Sequence, residues 1–500
     1  MNRLDALLTR GALNAPALIE GGRCLSYAEL DGLVSAVAAS LVARGVEPGD
    51  RVAVYSPKTL EAVATMFAVA RAGGVLVPVN PILKSAQVAH ILADSGARLL
   101  VTQRARAKQL VDAEALGMTE AMTVEDDWPS SAAAANPDVA VAPDDLAAIL
   151  YTSGSTGRPK GVMLSHRNLL VGAESVASYL GNSAEDRLLA VLPLSFDAGF
   201  SQLTTAFEAG ASVVLLDYLT PRDVIKSVER HGVTSLTGVP PLWIQLAEAE
   251  WPAAARASLR ILASTGGRMP VPVTRRLRSL FPDAKLFLMY GLTEAFRSTY
   301  LAPELVDAHP ESMGSAIPNA EVTVVRPDGL QAAAGEPGEL VHAGPLVAKG
   351  YWCDPARTAE RFRPAPAGSR YGGTAVWSGD TVVCDTDGRL TFVGRDDDMI
   401  KTSGNRVSPT EIEEAAYGSG AVDAAVALGI ADERLGQAIL LVASPAGGRS
   451  FEEAEATLRG AIAATLPGYM LPRTVIWRDA LPRNANGKLD RSALRREHAA

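Results

Sequence analysis

A segment rich in glycine, hydroxyl side chains and lysine has the composition of a phosphate-binding loop. It runs from Tyr151 to Gly161 as Tyr-Thr-Ser-Gly-Ser-Thr-Gly-Arg-Pro-Lys-Gly and directly follows an apolar run. Glycines let backbone N–H groups face an anion, hydroxyls add donors, and Lys160 adds positive charge. A Walker A loop has glycine before its lysine and serine or threonine after it, whereas Pro159 and Gly161 flank this lysine. The sequence therefore predicts a phosphate loop of another kind, and the alternative is a flexible glycine–serine linker.

Five motifs, of which this loop is the first, resemble those of the adenylate-forming superfamily in composition and order. That superfamily contains acyl-CoA synthetases, adenylation domains of peptide synthetases, and luciferases. The other four are Met289–Ala295 (MYGLTEA), Trp377–Asp380 (WSGD), Gly394–Arg406 (GRDDDMIKTSGNR) and Pro482–Lys488 (PRNANGK). The resemblance covers essentially the whole chain, and it implies an ATP-dependent acid–thiol ligase. Such an enzyme joins a carboxylate to the α-phosphate of ATP, releases pyrophosphate, and then lets a thiol displace AMP.

The resemblance assigns a role to each residue of the nucleotide site. Lys488 would stabilise the negative charge that develops on the α-phosphate in the transition state. Glu294 would bind Mg²⁺, a hard cation that prefers oxygen ligands, and Thr293 would contact phosphate. Asp380 would accept hydrogen bonds from both ribose hydroxyls, with Arg395 reaching the ribose from the hinge side and Tyr290 lying against adenine. The full set expected to bind ATP or AMP is Thr152, Ser153, Gly154, Ser155, Thr156, Gly157, Lys160, Thr265, Gly266, Gly267, Tyr290, Gly291, Asp380, Arg395 and Lys488.

The second half-reaction needs a thiol where the first needs a lysine and a phosphate. By resemblance, a small C-terminal domain rotates between the two arrangements about a hinge, here Asp397. The segment around Lys401, Ser403 and Gly404 would then line the thiol tunnel. The alternative for the acidic run around Asp397 is a solvated turn.

The acid pocket is where the residues leave alternatives open. Phe196 and Asp197 stand where many fatty and aryl acid ligases carry a histidine, and amino-acid-activating domains carry an aspartate there that pairs with the substrate ammonium. A buried carboxylate needs a cation. That cation is either the substrate's amino group or Arg297, and as a third option Arg297 binds a second polar group of the acid. The full set expected to contact the acid is Phe196, Asp197, Phe200, Ser201, Thr265, Met289, Phe296 and Arg297.

Two subgroups of the superfamily share these features. Acyl-CoA ligases associated with bacterial exosortase clusters resemble more of the chain, whereas free-standing ligases that load amino acids or β-amino acids onto carrier proteins better explain Asp197. No carrier domain follows the motifs, so the thiol is expected on a separate molecule, either CoA or a phosphopantetheinyl carrier protein.

The elements that must hold these residues alternate between short β-branched runs and amphipathic helices. This pattern is typical of an α/β fold with parallel strands and crossover helices. Ser26 and Glu29 form a capping-box pattern at the start of the first long helix. Turn sequences such as Asp387-Gly388 replace this rhythm after Pro318. We expect a large adenylation domain over residues 1–394 and a small α+β domain over residues 395–500.

Composition limits the partners of the protein. Its 56 acidic residues exceed the 47 basic ones, giving a net charge of −9 over 500 residues, which argues against binding nucleic acid or an anionic membrane. Cys24, Cys353 and Cys384 are too few and too far apart for a disulfide framework or a metal cluster. No secretory signal or spanning segment is visible in the sequence, so a cytoplasmic location is expected.

Overall fold

Four β-sheets form the framework of the protein. The computed structural model describes residues 2–129, 137, 139–152, 159–267, 269, 271–395, 399–482 and 489–498. In spatial order, the first sheet consists of β15 (Ser315–Ala316), β14 (Thr299–Leu301), β13 (Lys285–Tyr290), β12 (Ile261–Ser264), β11 (Ser235–Gly238), β9 (Arg187–Ala190), β10 (Ser212–Leu215), β1 (Pro16–Glu20) and β2 (Arg23–Ser26). The second sheet consists of β6 (Glu120–Thr123), β5 (Leu99–Thr102), β3 (Arg51–Tyr55), β4 (Val75–Val79), β7 (Leu146–Thr152) and β8 (Lys160–Ser165).

The other two sheets are antiparallel except at one strand. The third contains β16 (Glu321–Val325), β17 (Pro337–Ala343), β19 (Thr374–Cys384), β18 (Phe362–Pro364) and β20 (Leu390–Arg395), which pairs with β19. The fourth contains β22 (Asn405–Val407), β21 (Ile400–Thr402), β24 (Gly436–Pro445), β23 (Val422–Asp432) and β25 (Thr474–Trp477), which runs parallel to β24.

Fifteen α-helices in the described part of the chain connect or cover these sheets. They are α1 (Tyr27–Ala43), α2 (Leu60–Arg71), α3 (Ser85–Ser95), α4 (Arg104–Asp112), α5 (Val124–Asp127), α6 (His166–Leu180), α7 (Asp197–Glu208), α8 (Pro221–His231), α9 (Pro240–Glu248), α10 (Ala253–Ser258), α11 (Val271–Leu280), α12 (Pro355–Arg361), α13 (Pro409–Gly418), α14 (Phe451–Thr465) and α15 (Arg491–His498). In the described residues, every helix is too short or too polar to cross a lipid bilayer.

Local sequence signals account for where these elements begin and end. Ser26 caps α1 and forms the predicted capping box with Glu29, and the chain leaves the helix through Gly45 at a φ of +79°. The sequence also predicts a strand at the apolar run Leu99–Thr102, and the strand there has these bounds. The turn at Asp387-Gly388 joins β19 to β20 as expected. The sequence also predicts surface loops over residues 129–145 and 363–373. The second begins inside the short strand β18, and residues 130–136 and 138 of the first lie outside the described residues.

The two large sheets are mainly parallel, and apolar helices separate them. Strands β9 to β13 and β3 to β7 pair in parallel, so their carboxyl ends meet at common edges. Helices α2 and α7 pack between the sheets, where Phe67 contacts Phe200 and Phe207 at ring-centroid distances of 6.3 and 5.3 Å. Ligand sites of open α/β sheets lie beyond such carboxyl ends. A ligand site is therefore expected beyond the carboxyl ends of these strands.

Candidate active site

One large cavity, of 1140 Å³, opens at the carboxyl ends of the central strands. Segments that follow β9, β11, β12 and β13 supply one wall, and the strand pair β21–β22 lies at its mouth. The predicted residues that line it within the described part of the chain are Thr152, Lys160, Phe196, Asp197, Thr265, Gly266, Gly267, Met289, Tyr290, Gly291, Thr293, Glu294, Arg297, Asp380, Lys401, Ser403 and Gly404. Motifs that are far apart in the sequence therefore meet around one space.

Lys160, Glu294 and Tyr351 form a connected charged group in this cavity. Lys160 Nζ lies 3.2 Å from Glu294 Oε1 and donates to Tyr351 Oη at 2.8 Å, and Tyr351 Oη donates to Glu294 Oε1 at 2.7 Å. Lys160 Nζ also lies 4.0 Å from the centroid of the Tyr351 ring, within range for a cation–π contact. The end of the phosphate loop is thereby joined to the carboxylate predicted to bind Mg²⁺.

The surroundings of Glu294 keep it ionised. Burial alone would raise the pKa of this carboxyl group, but the charge of Lys160 and the hydrogen bond from Tyr351 lower it to about 2. Glu294 is therefore an anion throughout the physiological range. A Mg²⁺ ion that also binds phosphates needs only one or two protein carboxylates, so this site fits one.

Tyr351 was missed by the sequence analysis. Its backbone pairs with Val162 of β8, and Trp352 N–H donates to the Gly161 carbonyl at 2.8 Å, which aligns the segment after Gly350 beside the strand that begins at Lys160. A single tyrosine 57 positions after Glu294 carries no spacing signal. Only the pairing of distant segments reveals it.

Two predicted nucleotide residues contact each other on the opposite side of the cavity. Tyr290 Oη donates to Asp380 Oδ2 at 2.5 Å, which links the end of β13 to the middle of β19. Arg395 ends β20 directly opposite Asp380 in the register of that strand pair. The phenol ring and the carboxylate are therefore adjacent, as binding of one nucleoside would require.

Asp197 and Arg297 form an ion pair at the wall of the cavity. Arg297 Nη1 lies 2.9 Å from Asp197 Oδ2, and Thr293 Oγ1 is 3.4 Å from the other carboxylate oxygen. The side chains are 3% and 16% exposed for Arg297 and Asp197, respectively. Of the three alternatives left open by the sequence, this geometry favours pairing within the protein.

Three residues predicted to contact the acid lie in the protein core instead. Phe200 is fully buried against Phe67, Ser201 Oγ lies 3.3 Å from Thr205 Oγ1 inside α7, and Phe296 is fully buried beside Gly172. Asp197 begins α7 at the cavity. Phe200 and Ser201 follow one turn farther along the same face of the helix, beyond the residues that line the cavity, where Phe200 packs against Phe67.

A buried lysine closes the cavity wall and was also missed. Lys58 Nζ donates to the carbonyls of Val191 and Leu216 at 3.1 and 2.9 Å and pairs with Asp217 Oδ1 at 2.8 Å. Burial lowers its pKa, while Asp217 acts in the opposite direction. All three ammonium donors have protein acceptors, so Lys58 ties the loop after β3 to the carboxyl ends of β9 and β10.

Some of the remaining predicted residues lie at the mouth of the cavity, and the others lie outside the described part of the chain. Gly404, at a φ of +77°, contacts Val239, so close that a Cβ there would lie 2.8 Å from Val239 Cγ1. Lys401 and Ser403 line the same mouth of the cavity. Ser153, Gly154, Ser155, Thr156, Gly157, Asp397 and Lys488 lie outside the described residues.

Family models and known proteins match this chain along most of its length. A family model described as AMP-binding enzyme matches residues 8–352, and one described as AMP-binding enzyme C-terminal domain matches residues 411–488. Feruloyl-CoA synthase from Amycolatopsis sp is 36% identical over 492 residues, covering 97% of this chain and 96% of that protein. The L-proline–[L-prolyl-carrier protein] ligase of Pseudomonas fluorescens is 33% identical over 500 residues, covering 96% of both. The structure of o-succinylbenzoate CoA synthetase from Bacillus subtilis, bound to a product analogue, superposes with a TM-score of 0.87 at 27% identity, covering 99% of this chain and 98% of that one.

Proposed function

Because the chain belongs to the AMP-binding enzyme family of ATP-dependent, acyl-adenylate-forming ligases, we propose that its acid substrate carries no ammonium group. The ion pair between Asp197 and Arg297 is the observation that carries this proposal. The ammonium group of an amino acid would have to compete with Arg297 for Asp197 and leave a buried guanidinium without its carboxylate partner. Breaking a buried pair in this way costs about 3–5 kcal/mol. An uncharged acyl or aryl acid leaves the pair intact.

The cavity wall near this pair supports the same choice. Leu192, Val239, Ile244, Leu288 and Met289 line the cavity, and each presents an apolar side chain. Ligand pockets of this kind bind through apolar contact, with a few polar groups fixing orientation. The feruloyl-CoA synthase relative, whose name contains an aryl acid, is consistent with such a pocket.

The proposed mechanism uses this chain's own residues in two steps. Lys160 and the phosphate loop hold the triphosphate, Asp380 and Tyr290 hold the nucleoside, and Lys488 stabilises charge on the α-phosphate as the carboxylate attacks. Glu294 would hold Mg²⁺, which when bound would supply positive charge beside the phosphate oxygens. Attack of the carboxylate releases pyrophosphate and forms an acyl-adenylate. A thiolate then attacks the carbonyl carbon of this adenylate, and AMP leaves. We further propose that residues 395–500 move as a domain about Asp397 and that Lys401, Ser403 and Gly404 line the path of the thiol.

Pyrophosphate exchange with a matched pair of acids tests the substrate class. 3-Phenylpropanoic acid and phenylalanine differ only by the ammonium group, and ferulic acid and L-proline extend the comparison toward the two relatives. We expect exchange with 3-phenylpropanoic acid to exceed that with phenylalanine by about a hundredfold or more, since the pair must otherwise be broken. A preference for the amino acids would establish the second candidate, an amino-acid-activating ligase, which the prolyl-carrier ligase relative favours.

Replacing Arg297 tests the pair directly. Arg297→Met keeps a long apolar side chain but leaves Asp197 without its cation, so the ratio of exchange with phenylalanine to exchange with 3-phenylpropanoic acid should rise at least about tenfold. An unchanged ratio would contradict the assigned role of the pair. Supplying CoA or a phosphopantetheinylated carrier protein to the preformed adenylate then identifies the thiol.

A further inference from the structure

A hydrogen bond joins helix α3 of the large N-terminal part to helix α13 of the C-terminal part. Gln87 Nε2 donates to Glu411 Oε1 at 2.8 Å, across a sequence separation of 324 residues. Both side chains are half-buried beside the mouth of the cavity. The contact therefore lies where the two parts of the protein face each other.

The orientation of the Gln87 amide is set by two partners of opposite kind. Its Oε1 accepts the backbone N–H of Lys84, the N-cap residue of α3, at 3.1 Å. Nε2 is thereby directed toward Glu411. A flipped amide would lose both hydrogen bonds, because a backbone N–H needs an acceptor and a carboxylate needs a donor.

Glu411 is placed so that its negative charge is stabilised. It lies in the first turn of α13, where the positive end of the helix dipole favours an anion. Hydrogen bonds to an ionised acceptor are about twice as strong as those between neutral groups. The contact is therefore stronger than a neutral amide–amide contact of the same length would be.

The same arrangement brings the strand pair β21–β22 against the cavity. Gly404 contacts Val239, and the Gly404 carbonyl oxygen would lie 3.7 Å from a Cβ on Gly266. Gln87–Glu411 and Gly404–Val239 are separate contacts between the two parts, one polar and one apolar. Together they hold residues 401–404 at the acid site.

We propose that Gln87 and Glu411 are positioning residues that latch the C-terminal part in the orientation used for thiol transfer. This inference rests on the proposed two-step function. In the proposed mechanism the C-terminal part turns between the two steps so that Lys488 serves adenylation and residues 401–404 serve thiol transfer, and the latch must therefore open between the two half-reactions. The strength of this hydrogen bond then controls the rate of thiol transfer, although neither residue takes part in the chemistry of either half-reaction.

Adding a second negative charge to the pair tests the latch. Gln87→Glu places two carboxylates at hydrogen-bond distance while its own carboxylate can still cap α3, so we expect thioester formation from preformed acyl-adenylate to slow about tenfold. Pyrophosphate exchange should change less than about twofold. The double variant Gln87→Glu/Glu411→Gln restores an amide–carboxylate pair with donor and acceptor exchanged, and should recover thioester formation to within about threefold of the original rate.

Controls separate the latch from folding and from the proposed function. Gln109→Glu makes the same chemical change on an exposed position of α4 and should leave both half-reactions unchanged. Glu411→Gln alone, which weakens the bond without repulsion, should slow thioester formation by a smaller factor and serves if Gln87→Glu does not fold. Equal loss of both half-reactions, or no recovery in the double variant, would overturn the latch. Absence of pyrophosphate exchange in the unaltered protein with every acid would instead overturn the proposed function.

Discussion

Tyr351 shows how much one hydroxyl can contribute to a charged site. Its Oη lies within hydrogen-bond distance of both Lys160 and Glu294. It hydrogen-bonds to both the cation proposed to bind phosphate and the carboxylate proposed to bind Mg²⁺, which themselves lie 3.2 Å apart. Without the hydroxyl, each of these charged groups would lose a hydrogen bond that helps to fix its position.

Tyr351→Phe removes the hydroxyl and keeps the ring under Lys160. We expect pyrophosphate exchange to fall by about tenfold to a hundredfold, since a hydrogen bond to a charged group contributes about 1.5–3 kcal/mol. The Mg²⁺ concentration needed for half-maximal exchange should rise, and the melting temperature should change little. Tyr371→Phe is a matched control because Tyr371 is 41% exposed and lies outside the cavity. An unchanged Mg²⁺ requirement would argue against the role given to Tyr351.

At the scale of elements, helix α7 is held at the acid site by a close approach of its first turn. Gly199 lies so near the preceding loop that a Cβ would be 1.9 Å from the Pro193 carbonyl oxygen. That oxygen belongs to the backbone and cannot turn away as a side chain could. The position of Asp197 therefore depends on the absence of a side chain two residues later.

Gly199→Ala should displace the start of α7. We expect a loss of about 3 kcal/mol in the free energy of unfolding, in the upper range for inserting an atom into a packed site, together with a raised KM for the acid. Gly460→Ala provides the control, since Gly460 lies inside α14 with open space at its Cβ and the change should stabilise the protein by about 0.5–1 kcal/mol. Denaturant unfolding measures the free energy of unfolding of both variants. Equal values would contradict this prediction, because they would show that the loop before α7 moves to admit the new methyl group at no energetic cost.

Across the whole molecule, two buried histidines make stability depend on pH. Burial lowers the pKa of His342 and of His166 to about 4. In the unfolded chain each imidazole takes up a proton at its ordinary pKa of about 6.5, whereas in the folded chain it stays neutral until about pH 4. The unfolded state therefore binds more protons within this window, and stability is lost as the pH falls through it.

We expect each histidine to lower the free energy of unfolding by about 2 kcal/mol between pH 7.5 and pH 5. Denaturant midpoints measured at the two pH values report this change. His342→Gln removes one titrating group and keeps a polar side chain that can hydrogen-bond Ser298. Its unfolding free energy should depend less on pH than that of the unaltered protein. If the free energy of unfolding changes equally with pH in both proteins, groups other than His342 cause the pH dependence.

Much of the fold and the reaction class could be predicted from the chain alone. The capping box at Ser26, the strand at Leu99–Thr102 and the turn at Asp387-Gly388 are encoded within a few residues, where backbone preferences act directly. The ordered motifs identified the adenylate-forming family, which the family models and relatives confirm. Short-range patterns of this kind remain readable however the rest of the chain packs.

The contacts within the candidate active site depend on the tertiary structure. The sequence left two cations open for Asp197, the substrate's amino group or Arg297, and the approach of α7 to the segment after β13 pairs Asp197 with Arg297. Phe200 and Phe296 have residue types suited to an acid pocket, yet packing between the sheets placed them in the core. Tyr351 reaches Lys160 and Glu294 because its backbone pairs with Val162, and no sequence motif predicts this pairing. Such contacts join residues that are far apart along the chain, so their geometry depends on how whole sheets and helices pack.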